Sequence, residues 1–200
     1  MNIDRDFIFP VEVFKIFLHN HEEINETILE QLYSTSEYNA YTTTKKYENL
    51  AIKPTEVPSV QYILLRAIAI IENLTKQTYQ IDADGWWFNI MKAGNSVNIH
   101  SHSPGPVWSG VYYVTAPKGS GKICFTQNRT HIKESHKTKE NKKTYYYKYI
   151  GHNFQEVPYT PEPGMMLIYP SWLDHRVSMH SVPTERIAIS FNLKYPFSIL

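Results

Sequence analysis

The sequence is nearly devoid of cysteine, because Cys124 is the only one in 200 residues. A single thiol cannot form an internal disulfide, and it cannot supply a cysteine-rich metal site. Such a chain suits a reducing compartment. We therefore expect a cytoplasmic protein.

Long apolar runs and an excess of charge are also missing. No stretch approaches the ~20 apolar residues that a membrane-spanning helix needs. The start, MNIDRDFIFP, has neither the basic segment nor the apolar run of a signal peptide. The formal net charge is +1, which gives no overall attraction to nucleic acid or to an anionic membrane. Any partner must therefore be recognised locally.

The residues that are present favour one folded domain. The chain is 42% hydrophobic and 14% aromatic, which excludes a disordered protein, and its length fits one domain with a core. Residues 7–18, FIFPVEVFKIFL, predict an edge strand or strand pair. Apolar residues recur with helical spacing over 20–33 and again from Pro58 to Leu74, which predicts two helices.

From Trp86 onward the apolar pattern changes to a period of two, with turn residues at short intervals. This pattern predicts strands at 86–93, 98–102, 108–117, 122–127, 145–150, 165–170, 175–180 and 186–195. We predict an α+β protein, in which a β-sandwich or open barrel carries two covering helices. A single domain would span 1–200, with a strand and the helical cover in 1–80 and the β core in 81–200.

One segment, HIKESHKTKENKK at 131–143, is polar and rich in lysine. Lysines followed by tyrosines also occur on surfaces that bind single-stranded nucleic acid. Glutamates interrupt the positive charge here, and the whole chain is nearly neutral. We favour a solvated active-site loop over a nucleic-acid contact.

Two histidines stand two residues apart in the stretch NIHSHSPG. Side chains alternate along a strand, so His100 and His102 are expected on one face with Cβ atoms ~7 Å apart. This spacing suits chelation of a metal that prefers imidazole, provided that a distant segment supplies a third ligand. His175 has the best context for that role, because it follows an apolar strand at a turn.

Eleven residues after His175, Arg186 lies within the otherwise apolar segment RIAIS. An unpaired guanidinium facing a barrel interior is costly, so a carboxylate partner is expected. The adjacent Glu185 points the opposite way along the strand. A carboxylate ligand is therefore the simplest partner for Arg186.

Together these features resemble the iron(II)- and 2-oxoglutarate-dependent oxygenases, and more narrowly a small subfamily found in bacteria and phages. That subfamily shares an FP segment, a W-x-N strand, a histidine-x-histidine-x-proline motif running into SGVYY, and a closing FPSWLxH with ERISISFN. The corresponding stretches here are FIFP, WFN, HSHSPG, SGVYY, IYPSWLDH and ERIAISFN. The resemblance covers most of the chain outside the lysine-rich segment.

The resemblance implies a double-stranded β-helix fold and an oxygenase that uses Fe(II), 2-oxoglutarate and O2 to hydroxylate a substrate. It implies His100, His102 and His175 as iron ligands and Arg186 as the anchor of the co-substrate's far carboxylate. His102 stands where the wider superfamily has an aspartate or glutamate. The substrate could be a protein side chain, a nucleotide or a small metabolite.

A second departure concerns the co-substrate. Ala188 stands where many relatives have a serine beside the arginine, so Ser190, Tyr112 or Tyr113 is expected to supply that hydroxyl. Asn89 is a further candidate for orienting the co-substrate, with bonding to a buried backbone group as its alternative. For the four tryptophans, packing in the core is the expected role.

Two other classes of function stay open at this point. Three neutral imidazoles also suit zinc or a cupin-like enzyme that does not use 2-oxoglutarate. The other class is a non-catalytic β-sandwich binding module, in which the histidines hold no metal.

Overall fold

The computed structural model describes residues 11–43, 50–53, 57–126 and 156–196. The lysine-rich segment 131–143 and the strand predicted at 145–150 lie outside these residues. So does the first part of the strand predicted at 7–18.

Three helices occur in the described residues: α1 (His21–Ser34), α2 (Ser36–Thr43) and α3 (Val60–Thr75). Helices α1 and α3 lie on the two segments that the apolar spacing predicts. Helix α2 was not predicted, because its sequence SEYNAYTT has no apolar stripe. It begins instead with a local cap, in which Thr35 Oγ1 accepts the backbone N–H of Tyr38 at 3.3 Å. None of these helices is long and apolar enough to cross a membrane.

Ten strands lie in the same part of the chain: β1 (Phe14–Phe17), β2 (Leu50–Ile52), β3 (Gln80–Met91), β4 (Val97–His100), β5 (Trp108–Thr115), β6 (Ile123–Thr126), β7 (Glu156–Tyr159), β8 (Met165–Pro170), β9 (His175–Val177) and β10 (Arg186–Lys194). Most of them coincide with predicted strands. Strand β2 is too short to show a period, and β7 contains Pro158, which argues against a strand. A proline is tolerated at this position because β7 lies at the edge of its sheet, where a backbone N–H can be missing without loss of a hydrogen bond between strands.

The strands form two antiparallel sheets that enclose a barrel interior. The larger sheet has the order β1-β8-β5-β10-β3-β2, and the smaller has the order β4-β9-β6-β7. From β3 to β10 each strand lies in the other sheet from the one before it, except that β6 and β7 are neighbours in the smaller sheet, and this is the order of a jelly roll. The segment before β3 adds β1 and β2 at the two edges of the larger sheet.

Alternation along β10 separates two cores. Ile187, Ile189 and Phe191 pack with apolar residues of α1 and α3, whereas Ala188 packs with residues from both sheets. Gly110 of β5 leaves room for the Phe191 ring of β10, since a Cβ there would overlap that ring and lie 2.9 Å from the Leu167 carbonyl oxygen. Residues of α1 and α3 therefore pack against one face of β10, and the barrel interior lies on its other face.

Candidate metal and co-substrate site

Strand pairing brings two of the predicted ligands face to face. Strands β4 and β9 are antiparallel neighbours, and His100 lies directly opposite His175 in their register. Directly opposed residues on paired strands have their side chains on the same face and within contact. The ring centroids of His100 and His175 are 4.3 Å apart.

His102 joins this pair by a different route from the one predicted. Strand β4 ends at His100, so strand alternation does not carry through to His102. The backbone N–H of His102 instead donates to the carbonyl of Ser171 at 2.9 Å, which ties the chain after β4 to the end of β8. The His102 ring is 5.2 Å from the rings of both other histidines, and it also contacts Trp87 at 5.8 Å.

The three imidazoles form a set of donors that fits a metal ion. One ring nitrogen of each residue lies within 4.8 Å of those of the other two, and among the described residues this is the only such cluster. His100 Nδ1 lies 2.8 Å from the Asn98 carbonyl oxygen, and His175 Nδ1 lies 2.9 Å from that of Leu173. A carbonyl only accepts, so both Nδ1 atoms carry hydrogen and both Nε2 atoms keep the lone pair that a metal requires.

Burial keeps two of these rings neutral. Desolvation lowers the pKa of His175 from 6.5 to about 4, helped by His100 and His102 and opposed by the bond to the Leu173 carbonyl. Desolvation also lowers the pKa of His102 to about 4, with a smaller contribution from His100. Because a metal binds only the unprotonated nitrogen, neutral rings are the state that the site needs.

These shifts predict an acid-sensitive metal-free protein. Between pH 6.5 and about 4 the unfolded chain protonates His175 while the folded chain does not, so stability falls as the pH drops through that window. For His175, which is 3% exposed, the loss amounts to roughly 3 kcal/mol. Denaturant unfolding with a chelator, at pH 7.5 and pH 4.5, measures it. Between pH 7.5 and pH 4.5, His175→Asn should lose distinctly less free energy of unfolding than the wild type. Equal losses would contradict the assignment of this pH dependence to His175. His19→Asn, at an exposed position, is the control.

Arg186 begins β10 and is 2% exposed. Its Nη1 donates to the sulfur of Met91, its Cζ lies 4.9 Å from the Tyr113 ring centroid, and its Nε has no hydrogen-bond partner in the described part of the chain. No ion pair of Arg186 with an acidic residue is found among the described residues. Glu185 points away, as expected: it accepts from the Tyr38 hydroxyl at 2.9 Å and lies 3.8 Å from Lys92 Nζ.

The two tyrosine candidates face opposite sides of β5. Tyr113 packs in the barrel interior, where its buried hydroxyl has no hydrogen-bond partner within residues 11–43, 50–53, 57–126 and 156–196. Burial raises the pKa of Tyr113, and the nearby Arg186 charge opposes the rise. Tyr112 packs in the helix-covered core and donates to Asn25 Oδ1 at 2.7 Å. The structure therefore contradicts a role for Tyr112 beside the co-substrate and leaves Tyr113.

Ser190, the third candidate for the hydroxyl that helps to hold the far carboxylate, lies away from Arg186. Ser190 lies opposite Trp87 in the β3–β10 register, whereas Arg186 lies opposite Met91. Four residues of strand separate them, which is about 13 Å of rise. Ser190 Oγ instead accepts a hydrogen bond from Asn89 Nδ2 at 2.6 Å. Asn89 thus lies on the interior face of β3 and bonds a side chain, and not the backbone group named as its alternative.

One tryptophan prediction is wrong, and one tyrosine beside the histidines was not predicted. Trp172 was expected in the core, but it is 57% exposed. Tyr169 was not singled out, because the run MMLIYP gives it the pattern of a buried strand. Its hydroxyl nevertheless lies 3.3 Å from His175 Nε2. Burial raises the pKa of Tyr169, and the Tyr113 hydroxyl adds to that rise.

A jelly roll whose strand ends hold three convergent imidazoles, with a buried arginine in its interior, has the architecture of the iron(II)- and 2-oxoglutarate-dependent oxygenases. Residues 85–192 match the sequence model of the family described as "Putative 2OG-Fe(II) oxygenase". That match covers more than half of the chain, and the chain belongs to this family. It is accordingly a 2-oxoglutarate-dependent dioxygenase that uses Fe(II) and O2.

Solved structures agree on the double-stranded β-helix fold. HygX from Streptomyces hygroscopicus, solved with nickel and 2-oxoglutarate bound, superposes with a TM-score of 0.64 at 12% identity, over 94% of this chain and 84% of that one. A Pseudomonas putida prolyl-4-hydroxylase gives 0.57 at 11% identity, over 94% of both chains. The viral collagen prolyl hydroxylase of Paramecium bursaria Chlorella virus-1 gives 0.57 at 12%, over 92% of this chain and 96% of that one. No curated protein matches the sequence significantly.

Proposed function

We propose that His100, His102 and His175 bind the Fe(II) of this oxygenase and that Arg186 binds the far carboxylate of 2-oxoglutarate. The observation that carries the proposal is the placement of both groups in one barrel. Three imidazoles converge within 4.8 Å, and a buried guanidinium that pairs with no carboxylate of the described residues lies in the same interior. A dicarboxylate that binds the metal at one end and Arg186 at the other would give the metal a further ligand and the guanidinium a carboxylate partner.

When bound, Fe(II) and 2-oxoglutarate supply the oxidation, in which the oxoacid is decarboxylated to succinate and one oxygen atom of O2 enters a substrate C–H bond. The chain's own residues hold these groups in place. The Asn98 and Leu173 carbonyls fix the orientation of two ligand rings. The Tyr113 ring lies against Arg186, and its hydroxyl, which has no hydrogen-bond partner among the described residues, could donate to the same carboxylate.

The wider setting of the enzyme is part of the same proposal. We place it in the cytoplasm, as one oxygenase domain over 1–200 with α1 and α3 as its covering helices. The single cysteine supports a reducing compartment. The near-neutral charge argues against nucleic acid or membrane as the main partner. The substrate is a molecule recognised locally around the histidine cluster, of a class that we leave open.

The proposal is tested by titrating 2-oxoglutarate into anaerobic, Fe(II)-loaded protein. We expect the weak visible metal-to-ligand charge-transfer band of a keto-acid chelate. Succinate is the matched control, because it has two carboxylates but no keto group and should give no band. Bound iron without any band on adding 2-oxoglutarate would overturn the proposal and favour a three-histidine enzyme that does not use the oxoacid.

A further inference from the structure

Tyr169 lies against the nitrogen that is proposed to bind the metal. Its hydroxyl is 3.3 Å from His175 Nε2, and its ring packs edge-on against those of His175 and Phe125. Because His175 Nδ1 already donates to the Leu173 carbonyl, Nε2 offers a lone pair and the phenol donates to it. Without metal, the hydroxyl and the lone pair satisfy each other.

Metal binding would remove that acceptor. An ion bound to Nε2 uses the same lone pair, which leaves the phenol hydrogen without its partner. Tyr169 is only 3% exposed, and in the described residues no other hydrogen-bond partner of its hydroxyl is found. A buried hydroxyl needs a new acceptor, and the oxygen atoms of a co-substrate bound to the metal would offer one.

The position of Tyr169 indicates which oxygen atoms these are. Tyr169 and Tyr113 pack in the same interior core. The Tyr169 ring lies against His175, and the Tyr113 ring centroid lies 4.9 Å from the guanidinium carbon of Arg186. A molecule bound to the metal at one end and to Arg186 at the other would therefore lie beside both tyrosines.

We propose that the Tyr169 hydroxyl donates a hydrogen bond to the metal-binding keto-acid end of 2-oxoglutarate. Tyr169 would then be a co-substrate-binding residue, while Arg186 holds the far carboxylate. This inference rests on the proposed function. It concerns a feature of this chain, because the motif FPSWLxH has phenylalanine where IYPSWLDH has Tyr169.

Tyr169→Phe tests the proposal, because it removes the hydroxyl and keeps the ring. Fe(II)-loaded, anaerobic protein is titrated with 2-oxoglutarate and with pyruvate, which has the keto-acid end but no far carboxylate. We expect Tyr169→Phe to retain iron and to bind both acids roughly threefold to tenfold more weakly. Its charge-transfer band should move to shorter wavelength, because a donor on the keto acid stabilises the orbital that accepts the electron.

Arg186→Met is the matched comparison. It should weaken 2-oxoglutarate binding and leave pyruvate binding unchanged, which separates the two ends of the co-substrate. Wild-type affinities and an unmoved band in Tyr169→Phe would overturn the role of Tyr169 while the proposed function stands. Loss of iron from Tyr169→Phe would also overturn it, because the hydroxyl would then act on His175. A wild-type protein without any band would overturn both.

Discussion

His175→Ala should abolish tight metal binding. The substitution leaves two imidazoles, His100 and His102, which cannot complete the three-donor set. Loss of a hydrogen bond to a ligand already costs 10- to 100-fold in metal affinity, so loss of the ligand itself should cost at least ~100-fold. Anaerobic competition for Fe(II) against a coloured chelator measures the effect directly.

His100→Ala and His102→Ala should lose metal to a similar extent, because each supplies one nitrogen to the same cluster. His19→Ala is the matched control, since His19 is exposed and lies outside the cluster. It should bind iron as the wild type does. Wild-type iron affinity in all three cluster variants would contradict the ligand assignment.

The sequence was sufficient to identify the histidine cluster, although the reasoning that joined His100 to His102 was partly wrong. Two-residue spacing suggested one strand, but β4 ends at His100. The cluster forms nonetheless, because the β4–β9 register sets His100 opposite His175 and the Ser171 carbonyl holds the His102 backbone. Motif spacing thus predicted the juxtaposition, whereas the backbone contacts that create it depend on distant segments.

The side chains around Arg186 were harder to predict for a physical reason. Which face of β5 meets the barrel interior depends on how the two sheets and the helices pack, so adjacent Tyr112 and Tyr113 could not be separated from their sequence. For Tyr169 the sequence pattern was misleading. The run MMLIYP predicts a buried strand residue with no functional role, and only the fold brings its hydroxyl close to His175.

Arg186→Met should make the ligand-free protein more stable and should weaken its binding of 2-oxoglutarate. Arg186 is 2% exposed, and its Nε has no hydrogen-bond partner among the residues that the structure describes. Replacing such a buried charge with an apolar side chain of similar length should stabilise the ligand-free, metal-free protein by about 1 kcal/mol or more. The same change removes the charged partner of a buried carboxylate, which should weaken 2-oxoglutarate binding by roughly 100-fold.

Denaturant unfolding of the metal-free protein and an anaerobic 2-oxoglutarate titration of the iron-loaded protein measure the two effects. Arg176→Met is the matched control, because the Arg176 side chain is 35% exposed and forms an ion pair with Glu156. It should gain no stability and should bind 2-oxoglutarate as the wild type does. If Arg186→Met were less stable than the wild type without ligand, Arg186 would have a stabilising partner within the protein. If instead it is more stable and fails to bind the oxoacid, the guanidinium is held in the barrel at a cost to folding, and its partner is the co-substrate.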